Sequence, residues 1–255
     1  MEDFMKSMGM DRYDRNARLK PALLVLLPLL SVVVIWFPQV WTIFGTLVAL
    51  AASCGLTFLL AQLARQRGRD LEHKLGDKIG RRHSARLLSF TDETLSATTK
   101  GRYHAYLAQH GHTLPSHDGE LKDPEGAADQ RRSAIDWLLE HTRANAKASM
   151  LLDENIAYGF RRNLLGLKPV AIASLVVANA GNALCLTFLP TPSALFWSGV
   201  FLQVILLLAL VVWVRYVSEK FVEDASLSYA QRLLAQCEPA TGRPSRSANP
   251  RIRVL

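Results

Sequence analysis

Hydrophobic and polar positions along this chain fall into long blocks. From Pro21 to Ala64, and again from Pro169 to Val214, no side chain is charged. The polar groups in these blocks are limited to Ser, Thr, Gln, Asn and Cys. A helix needs about 20 apolar residues to cross the hydrocarbon core, and each block is roughly twice that length. Proline interrupts each block near its middle, Pro38 in the first and Pro190 and Pro192 in the second. The pattern predicts four membrane spans, over 21–37, 40–63, 169–189 and 194–214. The competing reading, two buried helical hairpins of a water-soluble protein, is disfavoured because uncharged runs this long are rare in soluble cores. The first run lacks a small-residue cleavage site and leads directly into a second span, so it is expected to be retained and not removed as a signal peptide.

The polar blocks read as helix. Residues 65–79 are expected to continue span 2. A helix over 94–109 would follow a cap at Asp92 and carry Leu95, Tyr103, Tyr106 and Leu107 on or near one face. After the polar loop "HGHTLPSHDGELKDPEG", a helix over 125–147 holds Ile135, Trp137, Leu138 and Leu139, and 150–164 leads into span 3. Span 4 is expected to extend as a helix with Val214, Val217, Phe221, Ala225 and Leu233 near one stripe, which must pack on the middle segment or on a neighbouring subunit. There is no strand alternation and no repeat. The predicted fold class is all-α, a polytopic membrane protein with four transmembrane helices and a helical cytoplasmic (crown) domain inserted between spans 2 and 3. Its parts are an N-terminal segment 1–20, a hairpin 21–63, the crown 64–168, a second hairpin 169–214, a helix 215–238, and a basic tail 239–255 whose Pro- and Ser-containing composition predicts disorder.

Charge then orients the spans. The chain carries 30 Lys and Arg against 22 Asp and Glu. Cations cluster before span 1 (Arg12, Arg15, Arg18, Lys20), after span 2 (Arg65, Arg67, Arg69), before span 3 (Arg161, Arg162, Lys168) and after span 4 (Arg215, Lys220). The two short turns have none. Positive residues near span ends stay in the cytoplasm, so both termini and the crown are expected there. Trp36, Trp41 and Trp197 flank the turns, where aromatic rings favour the interface.

Candidate chemistry is sparse. The three cysteines have no metal-site spacing. All seven histidines lie in the middle segment; His110, His112, His117 and Asp118 match no strong metal motif. No nucleophile elbow, zinc-protease helix or phosphate-cradling glycine loop occurs, so no enzyme chemistry, cofactor or metal is expected. The first part of the crown, 65–104, holds 10 basic against 5 acidic residues. Lys74, Lys78, Arg81, Arg82 and Arg86, with Lys100 and Arg102, could hold anionic lipid headgroups or the phosphates of a nucleotide or oligonucleotide, and Tyr103 could stack on a base. Within the spans, Asn179 and Asn182 share a helical face and Gln203 lies on span 4. Such residues either bond between helices or line a polar path; as pore-lining residues they would require a homo-oligomer, a tetramer being one such form.

The stretches "ARLKPALLVLLPLL", "TDETLSATTKGRYHAYLAQH" and "ENIAYGFRRNLLGLKP" resemble a family of little-characterised bacterial membrane proteins. These share an apolar hairpin, a basic glycine-containing cytoplasmic insert and a second apolar hairpin. Where they carry a Trp-Gly-Gly-rich turn, this chain has "LGDKIGRRHSARLLSF". The architecture is similar to that of Hailong-type membrane effectors of bacterial antiphage systems. The resemblance implies an inner-membrane protein whose cytosolic crown reads a nucleotide or oligonucleotide signal, made by a nucleotidyltransferase encoded nearby, and gates an ion channel. A non-conducting membrane sensor or scaffold that recruits a cytosolic partner is the alternative.

Overall fold

The computed structural model describes residues 11–37, 41–143, 150–190 and 192–238, without side-chain detail at 43, 44, 47–49, 51–53 and 143. The expected disorder of the tail, the first interhelical turn at Pro38 and the end of the helix over 125–147 lie outside the described residues.

All elements are helical, and no strand occurs among the described residues. A π turn, Asp14–Leu19, runs into α1, Lys20–Trp36. Helix α2 spans Ile43–Leu75 and is capped by the Thr42 hydroxyl, which accepts from the Gly45 N–H. A single 3₁₀ turn, Gly76–Lys78, leads to α3, Gly80–Leu87. Then follow α4 (Ala97–Gln109), α5 (His117–Lys122), α6 (Pro124–Arg143), α7 (Met150–Phe188), α8 (Ser193–Arg215) and α9 (Glu219–Leu234). The cap of α4 is Ser96, not Asp92. The Asp92 carboxylate instead holds the Thr94 N–H at 2.9 Å and pairs with Arg86 at 3.1 Å.

Three helical stretches, Asp14–Trp36, Met150–Phe188 and Ser193–Arg215, are long and apolar enough to cross a membrane. The remaining expected span, 40–63, falls mostly on the N-terminal part of α2. The expected extension of span 4 is broken at Tyr216–Ser218. Lys168 donates from Nζ to the carbonyls of Val214 (3.0 Å) and Val217 (2.7 Å), and the Ser218 hydroxyl starts α9. Orphan carbonyls at the end of α8 therefore find a side-chain donor.

Side chains sort into two cores. The first gathers Ile79, Leu87, Leu88, Leu107, Ile135, Leu138, Leu233 and Leu234 from α3, α4, α6 and α9. Each is sealed from water, which contributes about 1.5–3 kcal/mol per side chain. Of the expected stripe, Ala225 and Leu233 enter this core beside Val222 and Tyr229, whereas Val217 and Phe221 pack on the second core and Val214 is exposed. The second core holds Val25, Val32, Leu164, Leu167, Leu175, Ala178, Leu202 and Leu206. Around it, outward-facing Leu27, Phe58, Leu59, Val177, Phe201 and Leu208 remain exposed. An outer belt this apolar around an interior containing Asn and Ser suits a bundle whose solvent is lipid.

Helix α7 belongs to both cores. Leu151 and Tyr158 enter the first, Leu167 and Leu175 the second. Its 39 residues extend about 58 Å at 1.5 Å per residue, with Pro169 inside the helix. Where α7 meets α2, the helices cross closely. A Cβ on Gly166 would sit 3.1 Å from the Gly68 nitrogen, and one on Gly68 would sit 2.3 Å from Asn163 Oδ1. Small residues permit such approach. Gly166→Leu is expected to force the helices apart and destabilise the protein by about 1–3 kcal/mol. A lower thermal midpoint of the detergent-solubilised chain would register this, and an unchanged midpoint would refute the tight crossing.

Candidate functional site

Two groups of polar residues need an account, one inside the apolar bundle and one on the polar unit. Inside the bundle, Asn179, Asn182 and Gln203 do come together, and they bond to one another. Asn182 is 0% exposed. Its Oδ1 accepts from Trp36 Nε1 at 2.8 Å, and its Nδ2 donates to the Gly199 carbonyl (3.0 Å) and to Gln203 Oε1 (2.8 Å). Gln203 Nε2 donates to Asn179 Oδ1 at 2.8 Å, and Asn179 Nδ2 donates to the Leu175 carbonyl at 2.8 Å. Ser174 extends the tie by donating to the Val25 carbonyl at 2.8 Å. Within one chain this relay fastens α1, α7 and α8 together. Gly199 makes room for it, since a Cβ there would lie 2.5 Å from the Trp36 ring. Trp36, expected at the interface, is instead buried as a donor. Trp41 and Trp197 are exposed.

The expected phosphate-binding residues divide among several places. Arg82 and Arg86 on α3 share a groove of about 230 Å³ with Arg131 and Arg132 of α6. Much of that charge is matched: Arg86 by Asp92, Arg132 by Asp129 at 3.6 Å, and Arg131 by Glu120 at 2.7 Å. Arg81 turns to Asp136 (3.0 Å), Lys78 to Glu223 (3.7 Å) and Arg102 to Glu238 (2.7 Å). Exposed pairs of this kind are worth about 0–1 kcal/mol each, so they leave these cations free to change partner. Lys74 is exposed. Two expected ligands are withdrawn from the surface. Lys100 is 2% exposed with its ammonium on the Asp92 carbonyl, and Tyr103 is 6% exposed within the first core. Both are corrected to structural roles, because a side chain sealed in the core cannot meet a soluble phosphate or base.

Behind the groove lies a clamp that sequence reasoning missed. Glu120, from the loop region expected to be merely polar, is buried and accepts from Ser89 Oγ, from the Phe90 N–H (3.0 Å) and from Arg131. Burial alone would raise its carboxyl, but these donors hold it below the usual carboxylate range. A second missed cluster joins Glu72 of α2 to α7. The Glu72 carboxylate accepts from Tyr158 Oη at 2.6 Å and from Arg162 at 2.7 Å.

The histidines do not converge. His110, His112 and His141 pack around the Trp137 ring, with His141 stacked at 4.8 Å, whereas His117 sits edge-on to Phe90. Among the described residues no group of three His, Cys, Asp or Glu is placed to hold a metal. His83 is buried against Ser226, whose hydroxyl oxygen accepts from the Gly80 N–H (2.9 Å) and lies 3.0 Å from His83 Nδ1. Burial first, then the Arg86 charge, lower its pKa from 6.5 to about 4. His104 is also lowered by burial, although its bond to the Leu88 carbonyl works the other way.

No protein-family model, curated protein or solved structure matches this chain.

Asn182→Leu removes the centre of the amide relay and strands Trp36 Nε1; a loss of about 1–2 kcal/mol is expected, measured as thermal stability in detergent. For His83, the unfolded chain binds more protons than the folded one between pH 6.5 and about 4. Its contribution is therefore fully present above pH 6.5 and is lost as pH falls toward 4, by at most roughly 3 kcal/mol. His83→Gln should flatten that part of the curve of thermal midpoint against pH; an identical slope in the variant would assign the acid sensitivity elsewhere.

Proposed function

We propose that the chain is a homo-oligomeric membrane effector, an ion channel gated by a nucleotide or oligonucleotide signal bound to its cytoplasmic unit, acting in bacterial antiphage defence. One observation carries the reading: α7 is a single helix with side chains buried in both cores. A displacement of the polar unit is thereby a displacement of a membrane helix. The signal acts on the arginine-rich face of α3 and α6, where Arg82 and Arg86 meet Arg131 and Arg132. Phosphate oxygens match guanidinium geometry and compete with the exposed Asp129 for Arg132 and with Asp92 for Arg86, while Arg82 has no ion pair among the described residues and buried Arg131 stays on Glu120. The ligand gates only to the extent that it binds the closed and open arrangements unequally.

In this reading the chain lies in the bacterial inner membrane with four spans, 40–63 completing the set, and with both termini in the cytoplasm. Several copies surround the conduction path, a tetramer being one such form. Anionic lipids contact the cationic span ends, and a nucleotidyltransferase encoded nearby supplies the signal. The amides of Asn179, Asn182 and Gln203 lock the closed bundle and line the path when their partners change between subunits.

The second reading, a non-conducting sensor or scaffold that recruits a cytosolic partner, draws on the same amides. They satisfy one another within a single chain and leave the path no polar lining. Planar-bilayer recordings of the reconstituted full chain, with and without short oligonucleotides, separate the two. Discrete conductance that changes on adding oligonucleotide is the expected outcome. Silent bilayers together with a stoichiometric co-purifying protein would support the scaffold and reject the channel.

A further inference from the structure

A cavity of about 670 Å³ lies at the junction of the two cores, and its lining residues differ from those of the groove formed by α3 and α6. It is walled by the π turn, α2, α3, α6, α7 and α9. Among the described residues, five arginines from four of these elements line it: Arg18, Arg65, Arg69, Arg81 and Arg162. Its carboxylates among the described residues are Asp11 and Glu72. Glu72 is engaged by Arg162 and Tyr158, Arg18 pairs with Asp14, and Arg81 with Asp136. Arg65 and Arg69, one turn apart on the same face of α2, have no ion pair among the described residues. They face a concave space whose volume falls within the roughly 300–1,000 Å³ range of small-molecule sites.

Topology alone does not demand this arrangement. The positive-inside preference needs cations near span ends and is indifferent to whether they share a cavity. Here residues far apart in sequence are gathered around one space. Arg65 directly follows Ala64, the last residue of the first uncharged run, so the cavity sits at the level where a lipid headgroup would lie.

We propose that this junction cavity is a binding site for a phosphate-bearing ligand held by Arg65 and Arg69, with Arg18, Arg81 and Arg162 completing the cationic wall. The shared chemistry is a phosphate ester or anhydride oxygen accepting from guanidinium N–H groups. It comes either from an anionic phospholipid headgroup or from a soluble phosphate compound. Because the walls come from both cores, an occupant fastens the polar unit to the apolar bundle. The inference does not rest on the channel reading, since binding is read without current.

The test uses the full chain in neutral detergent. Inorganic pyrophosphate is titrated calorimetrically at low salt, and phosphatidylglycerol and phosphatidylcholine compete for retention in native mass spectrometry. The variant Arg65→Ala/Arg69→Ala removes two exposed side chains; Lys122→Ala/Arg232→Ala removes the same charge elsewhere. Arg65→Lys/Arg69→Lys keeps the charge and guards against a folding defect. The expected result is binding weakened about tenfold or more in the double alanine variant, less than twofold in the charge-matched control, and intermediate loss in the lysine variant. Pyrophosphate binding without lipid preference identifies a soluble ligand, and selective phosphatidylglycerol retention identifies a headgroup. If neither probe binds the wild-type chain, or both alanine variants lose affinity equally, the site is refuted.

Discussion

The structure depends on holding α7 at a fixed depth between two cores that obey different rules. Asn163 does this at the crossing point. It is wholly buried, and its Nδ2 donates to the Ala17 carbonyl of the π turn at 2.7 Å. On the facing side it crowds Gly68 of α2, while Arg162 beside it reaches Glu72. A buried amide has few ways to satisfy its donors and acceptor, so it specifies one register where leucine packing would tolerate several. Shift α7 by one turn, and Tyr158 leaves the first core as Leu167 and Leu175 leave their places in the second.

The two cores are stabilised differently. In the polar unit, removal of Leu87, Ile135, Leu138 and Leu233 from water supplies the driving force. In the apolar bundle the alternative environment for a leucine is itself apolar, so burial contributes little. Close packing and interhelical hydrogen bonds take over. This is why the bundle interior carries Gly199, Ser174, Asn182 and Gln203 while its outside carries Leu, Val and Phe. The junction between the cores is where neither rule applies fully. There the chain places Glu72, Tyr158, Arg162 and a cavity ringed with arginine.

Parts of the site were legible and parts were not. The amide-bearing residues of the bundle stood out because any polar side chain is conspicuous in an uncharged run, and Asn179, Asn182 and Gln203 do meet. Their partner Trp36 did not stand out, since a tryptophan near a span end also fits the interface. The basic stretch 74–86 was visible as charge, but its side chains diverge toward Asp136, Glu223 and Asp92. Lys100 and Tyr103 looked like part of that surface because burial depends on which residues of the Ala235–Cys237 turn and the loop after α3 close over them. The Arg162–Glu72 contact joins positions 90 apart in sequence, and no local pattern announces it.

Sequence by itself determined the helical class, three of the apolar stretches long enough to span a membrane and the cationic residues at their polar ends, since each is set by composition over a window of adjacent residues. Tertiary structure alone decided that α7 serves both cores, that α8 ends at Arg215, where Lys168 of α7 meets the carbonyls of Val214 and Val217, instead of running into α9, and that arginines from separate helices share one cavity. The physical reason is the same in each case. Hydropathy is a property of neighbours along the chain, whereas a salt bridge, a capped carbonyl or a shared cavity is a property of neighbours in space.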